Sequence, residues 1–400
     1  MQNMESLKNT ALFKMMYGRV NAVKNAPAVA VKDLYAYPAN KMALALHPHV
    51  QFLKVKEIIA HSDDFKSFIF EPDAAKGTKK LAWFSAGQYL VLAVNVNGKM
   101  YSRPYSIASS PRDTLKGEIR ISIKRVEGGI VSGHLLDTLC VGDGVIASAP
   151  LGEFTYEPLR DAKTVIGIAG GSGITPFRSL AKAIVEGDED CSLTLLYGSR
   201  TLDDAVFSDD FKVWAEKDSR IKIVNVLSEQ KAERCESGFI DAALIKKYAP
   251  TDAPYSIFLC GPQAMYEFAD AEIATLGLRR KYVRHELFGE YFHPEKNADY
   301  AGNIKNTFRL TVRIKGKERT IDCPADTSLL RAMEDSGIPA PSDCRSGRCG
   351  RCRSRLVSGE VDTPASVDGR READKSFGYI HPCCSFPLSD VVLDVPPLPY

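Results

Sequence analysis

The chain has 400 residues, with 52 Lys and Arg against 50 Asp and Glu and a formal net charge of +2 at pH 7. That length exceeds what one hydrophobic core usually holds, so several domains are expected. The near-neutral balance gives no reason to expect nucleic acid or a membrane surface as partner, and no apolar run approaches the roughly twenty residues that a membrane span needs.

Residues 1–49 form an N-terminal extension in which six basic residues outnumber two acidic ones. Met4–Tyr17 is expected to form an accessory helix, either solvated or docked on a partner. Lys8 and Lys14 interrupt its apolar positions, so it lacks the continuous core of a secretory signal, and a cytoplasmic protein is expected. Tyr37-Pro38-Ala39-Asn40 is expected to break the chain before the next region.

Over residues 50–157, short β-rich runs (Val50–Ile59, Ser67–Phe70, Tyr89–Val96, Glu118–Arg125 and Val145–Ala149) alternate with Gly and Pro punctuation, which predicts an antiparallel barrel. Among them lie Arg103-Pro104-Tyr105-Ser106-Ile107-Ala108-Ser109 and Gly128-Gly129-Ile130-Val131-Ser132. An arginine offers a planar bidentate fork to phosphate, and a glycine-rich segment offers backbone N–H groups to the same kind of anion. Alone, the first motif reads as a strand-end turn; barrel and both motifs together resemble the flavin domain of the ferredoxin-NADP reductase family. The resemblance implies that Arg103 pairs with flavin phosphate, that Tyr105 packs on the flavin and that the Ser106 hydroxyl meets the reactive N5. It also implies that residues 128–132 hold the phosphates. The stretch Ala149-Pro150-Leu151-Gly152-Glu153-Phe154 departs from the P-R-N-E-F of an FMN-using branch, which implies FAD, with FMN the alternative.

Residues 158–292 change to alternating strand and helix, the mark of a parallel sheet covered on both faces. Strands are expected over Thr164–Ile168, Leu193–Tyr197, Ile221–Leu227, Tyr255–Leu259 and Tyr282–Leu287, with amphipathic helices over Phe177–Val185 and Ala264–Leu276. Gly170-Gly171-Ser172-Gly173-Ile174-Thr175-Pro176 follows the first strand. It departs from the Rossmann dinucleotide fingerprint, because Pro176 replaces the third glycine, but is similar to the G-G-x-G-I-T-P turn of the reductase family. Its glycines would let pyrophosphate approach a helix N-terminus. Cys260-Gly261-Pro262-Gln263-Ala264-Met265 resembles the family's C-G-P turn, which places Cys260 beside the nicotinamide, a buried core thiol being the alternative. His285-Glu286-Leu287-Phe288-Gly289 resembles the segment that ends the reductase module; His285 is either a proton donor or a packing residue. Ser199 and Arg200 follow the second strand, where a 2′-phosphate would bind, but Asp203 and Asp204 come next, so the coenzyme is NADH or NADPH.

Residues 293–306 read as a linker and 307–400 as a further domain. Phe308–Val312, a Lys315-Gly316-Lys317 turn and Arg319–Ile321 predict a hairpin. Ser328–Ser336 predicts a helix with Leu329, Leu330 and Met333 on one face. Strands Arg353–Leu356 and Val391–Val395 complete the pattern. Between them lies Cys344-Arg345-Ser346-Gly347-Arg348-Cys349-Gly350-Arg351-Cys352, answered by Cys383-Cys384. The C-x4-C-x2-C spacing with a distant fourth cysteine matches the plant-type 2Fe-2S arrangement, whereas structural zinc favours paired C-x2-C knuckles or histidines. This region resembles the plant-type ferredoxins and their β-grasp fold. The resemblance implies Cys344, Cys349, Cys352 and Cys383 as ligands, Cys383 preceding Pro387 as the family's C-x-x-x-P requires, with Cys384 the alternative fourth ligand. Half of the ten cysteines lie between residues 344 and 384, which argues for reduced thiols rather than a disulfide scaffold; Cys140, Cys191, Cys235 and Cys323 are expected as small apolar fillers.

The resemblances imply a multi-domain oxidoreductase: an antiparallel flavin barrel, an α/β nicotinamide domain and a β-grasp ferredoxin-like domain. Electrons from NADH or NADPH would pass through FAD to the cluster and on to an acceptor redox protein or metalloenzyme. An electron-input subunit of a larger complex and a redox sensor without turnover are the alternatives. Arg345, Arg348, Arg351, Arg353 and Arg355 crowd the cluster loop, which predicts an acceptor with an acidic docking face.

Overall fold

The computed structural model describes residues 37–286, 293–296 and 302–398, with residues 18, 19, 22, 25, 289 and 300 besides. The expected helix Met4–Tyr17 lies outside the described residues, as do Leu287 and Phe288. The chain divides into a short unit over residues 1–45 and a large unit from residue 46 onward. Where a break was expected, Pro38–Leu46 forms helix α1. Proline is tolerated where a helix opens, because its missing N–H has no intrahelical partner there, and Lys41-Met42-Ala43-Leu44 are strong helix formers.

The first part of the large unit is an antiparallel barrel. Its strands are β1 (Val50–Ser62), β2 (Phe65–Pro72), β3 (Tyr89–Val96), β4 (Lys99–Ser106), β5 (Ile119–Lys124) and β6 (Gly144–Ser148), in the order β4-β3-β6-β1-β2-β5. A bridge between Ile107 and Ile121 draws the two edges together. Alternation sends Leu53, Val55, Phe68, Phe70, Leu90 and Leu92 into the barrel core, and helix α2 (Ile130–Thr138) covers it with Val131, Leu135 and Leu136. Strand β4, absent from the expected elements, carries Arg103–Ser106. It pairs with β3 through an Asn97-Gly98 turn, with φ of 52° and 79°, the backbone that a two-residue hairpin requires.

The second part is a sheet of β7 (Thr164–Gly170), β8 (Ser192–Ser199), β9 (Ile221–Leu227), β10 (Glu236–Ser237), β11 (Tyr255–Cys260) and β12 (Val283–Glu286), all parallel and ordered β10-β9-β8-β7-β11-β12. Helices α3 (Thr175–Glu186), α4 (Ser208–Lys217), α5 (Ala242–Tyr248) and α6 (Gln263–Ala274) connect them. The chain order reverses at β7, so the carboxyl ends of β7 and β11 border the crevice where such sheets bind ligands. Barrel and sheet share a core. Phe154, on the segment leaving the barrel, packs at 5.6 Å centroid distance on Phe177 of α3 and at 5.1 Å on Phe258 of β11.

The third part has the β-grasp order. Strands β13 (Thr307–Ile314) and β14 (Lys317–Pro324) form a hairpin, α7 (Leu329–Asp335) crosses it, and β15 (Ser354–Ser358), β16 (Val361–Asp362), α8 (Glu372–Ser376), β17 (Tyr379–Ile380), β18 (Phe386–Pro387) and β19 (Val391–Asp394) follow. The main sheet runs β14-β13-β19-β15-β17, with β13 and β19 parallel. Ser328 caps α7 by accepting from the Arg331 N–H at 3.3 Å, while Leu329, Leu330 and Met333 join Leu310, Val312 and Leu393 in the core. The fold is thus a barrel, a parallel α/β sheet and a β-grasp module in one unit. Among the described residues, no helix is long and apolar enough to cross a membrane.

The shared aromatic contact implies that barrel and parallel sheet unfold together. Phe154→Ala should destabilise both by about 3–5 kcal/mol, moving a single transition in chemical denaturation; two separated transitions would show that the core is not shared in this way.

Candidate redox site

Strand β4 sets the flavin motif. Side chains alternate along it: Tyr101 and Tyr105 pack against the barrel core, while Ser106, buried opposite Tyr89 of β3, lies on the other face of the strand. Burial pushes the Tyr105 and Tyr89 phenols above their usual range, and for Tyr89 the charges of Cys344 and Cys349 add to the effect. Arg103 donates from Nη1 to the Ser102 carbonyl at 2.8 Å and to Glu334 at 3.2 Å. Gly129 is the N-cap of α2 with no side-chain cap, which leaves first-turn N–H groups for an anion. A Cβ there would clash with Val126 and with Ser132, whose hydroxyl accepts from the Val126 N–H at 3.1 Å. Those N–H groups and Arg103 suit a flavin's phosphates.

The nicotinamide turn lies between the ends of β7 and β11. Gly171–Ile174 makes one tight helical turn and Thr175–Glu186 continues as α3, with Pro176 in its first turn and no side-chain cap. A Cβ on Gly173 would sit on the Cys260 carbonyl, so only glycine lets the two turns close there, and one on Gly170 or Gly261 would meet the Met265 sulfur. Tyr266 accepts from the Gly261 N–H at 3.1 Å and donates to the Glu286 carbonyl. Burial raises the Cys260 thiol well above its usual value, with the Glu286 charge second. Ser199 ends β8. The exposed Arg200 is paired with Asp204 at 3.2 Å, so a 2′-phosphate would have to compete for it.

His285 is turned away to Asp270, Nε2 to Oδ1 at 2.6 Å. Its neighbour Glu286 is buried, and Oε2 accepts no hydrogen bond among the described residues. Burial, with the Cys344 charge second, holds this carboxyl well above the usual range. Strand alternation was the available signal, since one of two consecutive β12 residues must face inward.

The cysteine loop brings its thiols together as two pairs, Cys344 with Cys349 and Cys352 with Cys383, the latter at 3.4 Å. Among the described residues no group of three or more His, Cys, Asp or Glu closes on a single ion. Paired thiols suit a two-iron core, in which each iron takes two thiolates, and not a single tetrahedral zinc. A hydrogen bond from Cys349 holds the Cys344 thiol below its usual value. Backbone N–H groups of Ser346 and Cys349 point at Cys344 Sγ, and that of Arg351 at Cys349 Sγ, each at 3.4 Å; such bonds favour negative charge on the sulfurs and tune a cluster's potential. Gly347, with φ of 78°, has no room for a Cβ, which would meet Val367 and Cys384. Cys384 Sγ lies against the Val367 and His381 carbonyls at 3.7 and 3.5 Å and beside the Cys383 thiol, whereas it is Cys383 that meets Cys352. Of the other cysteines, Cys191 and Cys323 are buried as expected, but Cys140 is exposed and Cys235 half-exposed; both lie on surface turns.

The loop arginines divide. Arg345 is wholly buried against Glu334, so it takes no part in any docking surface. Arg353 is paired with Asp374 at 2.9 Å and lies over the Tyr379 ring at 4.6 Å.

Together these features define a flavin-dependent reductase with its own iron–sulfur module. Family models match in the same order: an oxidoreductase FAD-binding domain over residues 52–156, an oxidoreductase NAD-binding domain over 168–271 and a 2Fe-2S iron-sulfur cluster binding domain over 312–388. The chain is 31% identical over 359 residues to the ferredoxin reductase component of 3-ketosteroid-9-alpha-monooxygenase from Mycobacterium tuberculosis, covering 87% of this chain and 96% of that protein. It is 25% identical over 352 residues to the reductase subunit of glycine betaine monooxygenase from Chromohalobacter salexigens, covering 84% and 93%. The solved structure of phthalate dioxygenase reductase superposes with a TM-score of 0.59 at 27% identity, covering 86% of this chain and 98% of that one. The chain belongs to the ferredoxin-NADP reductase family, in the branch with a C-terminal 2Fe-2S ferredoxin domain. It is an NAD(P)H-dependent oxidoreductase that uses FAD and a 2Fe-2S cluster to supply electrons to a partner.

The sulfur geometry separates the two candidates for the fourth ligand. Cys383→Ser should abolish the cluster's visible absorbance while flavin stays bound and reducible by NADH; Cys384→Ser should keep the cluster. The reverse pattern would exchange their roles.

Proposed function

We propose that this chain is the reductase component of an oxygenase system and that it docks an acidic face of the oxygenase beside Cys349. The names of its relatives, reductase components of two monooxygenases, support the class of acceptor. The docking face rests on one observation. An open basin of about 830 Å³ lies beside Cys349, lined by Arg348, Arg351, Arg353, Arg355 and Arg371 against Asp374 and Asp394. Cys349 is exposed, whereas Cys344, Cys352 and Cys383 are buried, so the basin is the short way out for an electron.

On this reading Arg103, Pro104 and Tyr105, with the N–H groups of Gly128–Ser132, hold the flavin, and the Ser106 hydroxyl is aimed at its reacting edge. The Gly170–Pro176 turn and α3 take the coenzyme's pyrophosphate, and Ser199 and Arg200 border its ribose. Cys260, Gly261, Pro262 and Met265 wall the nicotinamide. Cys344 and Cys349 would hold one iron of the cluster, Cys352 and Cys383 the other. A bound flavin accepts two electrons from nicotinamide and releases them singly, as a 2Fe-2S cluster requires. The proposed modules, 50–157, 158–292 and 307–400, are supported by the three main sheets and the three family matches. A cytoplasmic setting suits thiols that must stay reduced to bind iron.

Charge steering is the testable part. Replacing Arg348 and Arg351 by Gln should slow reduction of the oxygenase about tenfold at low ionic strength and flatten its salt dependence, with ferricyanide reduction unchanged. Partner reduction at the wild-type rate in low salt would remove the docking role.

A further inference from the structure

One carboxylate joins the flavin strand to the cluster loop. Arg345 lies within the ligand run, with a φ of 59° and a fully buried side chain. Its guanidinium grips Glu334 of α7 through two bonds of 2.8 and 2.9 Å. The same carboxylate accepts from Arg103 of β4 at 3.2 Å and from the Ser102 N–H at 3.5 Å. Around it, the Ser102 and Ser342 hydroxyls meet at 2.6 Å, and Arg345 reaches Ser342 Oγ at 3.3 Å. One residue along α7, Asp335 accepts from the Tyr101 hydroxyl at 3.1 Å. Barrel strand, β-grasp helix and ligand loop therefore converge on Glu334.

We propose that Glu334 is a positioning residue for flavin-to-cluster electron transfer, holding β4 and the cysteine loop in register by neutralising Arg103 and Arg345 together. The inference rests on reading Arg103–Ser106 and Cys344–Cys352 as the flavin and cluster sites. In that step one electron leaves the reduced flavin and one ferric ion becomes ferrous; no bond to the protein forms or breaks, so separation and orientation are what the chain can set. Without the carboxylate the buried Arg345 guanidinium and the partly buried Arg103 guanidinium would face each other unneutralised, and like charges in a poorly solvated joint push its sides apart. Arg103 makes the arrangement economical, because it belongs to the flavin motif and to the joint at once.

The test uses the full chain loaded with both cofactors. In Glu334→Gln, anaerobic stopped flow with NADH should show flavin reduction at the wild-type rate and cluster reduction slowed about tenfold or more. Small-angle scattering, with and without cofactors, should show a larger radius of gyration. Glu334→Asp, which keeps the charge, should recover most of the rate. Cluster reduction at the wild-type rate in Glu334→Gln overturns the proposal, as does loss of the cluster's absorbance, which would make Glu334 a builder of the loop alone. Slowed flavin reduction would overturn it together with the flavin assignment of β4. If Glu334→Gln does not fold, Tyr101→Phe removes a hydrogen bond across the same joint without touching Arg345. It should slow cluster reduction and spare flavin reduction, and an unchanged cluster rate overturns the proposal equally.

Discussion

Strand β4 is an edge of the barrel, and the rest of the molecule's electron path depends on what that edge touches. An edge strand exposes a row of unpaired backbone groups and invites association. Here that capacity is used within the chain. Tyr101, Ser102 and Arg103 meet α7 and the approach to the ligand loop, while Tyr105 and Ser106, one turn of the pleat further on, remain with the flavin motif. Strand β4 thus joins the flavin motif at its Ser106 end, where Tyr89 is its ladder partner, to the β-grasp module.

Charge in this region follows burial. A buried pair is a weak source of net stability, but removing one partner costs about 3–5 kcal/mol, because a bare charge remains out of water; that asymmetry is why Arg345 and Glu334 must be read as a unit. Arg353 is partly spent on Asp374 and Tyr379. Arg348, Arg351, Arg355 and Arg371 border open space beside the exposed Cys349 thiol. The same residue type therefore does three jobs over a short stretch of chain: it neutralises a buried acid, packs against a ring, and gives the basin its positive field. On the nicotinamide side burial acts without a basic partner, raising the Cys260 thiol and the Glu286 carboxyl above their usual ranges.

Most strands were legible because alternation and turn residues report directly on a half-buried sheet: Tyr89–Val96 and Ile221–Leu227 coincide with β3 and β9. The motifs were legible because glycines at Gly129, Gly170, Gly173 and Gly347 answer steric demands that no other residue meets. What stayed hidden was tertiary. Arginines are seldom fully buried, so Arg345 read as surface until its partner appeared on a helix eleven positions earlier. Strand β4 was overlooked because Pro104 interrupts its pattern; on an edge strand proline is tolerated, and the Asn97-Gly98 turn was the better signal. His285 and Glu286 could not be ranked from sequence, since alternation says that one faces inward but not which. Helix α1 defied a turn signal because a proline that breaks a helix interior is harmless at its start.

The central claim is that electrons reach the cluster only by way of the flavin held on β4. The direct measurement removes the flavin while keeping the cluster, then mixes the protein anaerobically with NADH and follows the cluster by visible absorbance and electron paramagnetic resonance. The account predicts that the cluster stays oxidised until FAD is added back, and is then reduced after the flavin. Reduction of the cluster by NADH in the flavin-free protein would contradict it.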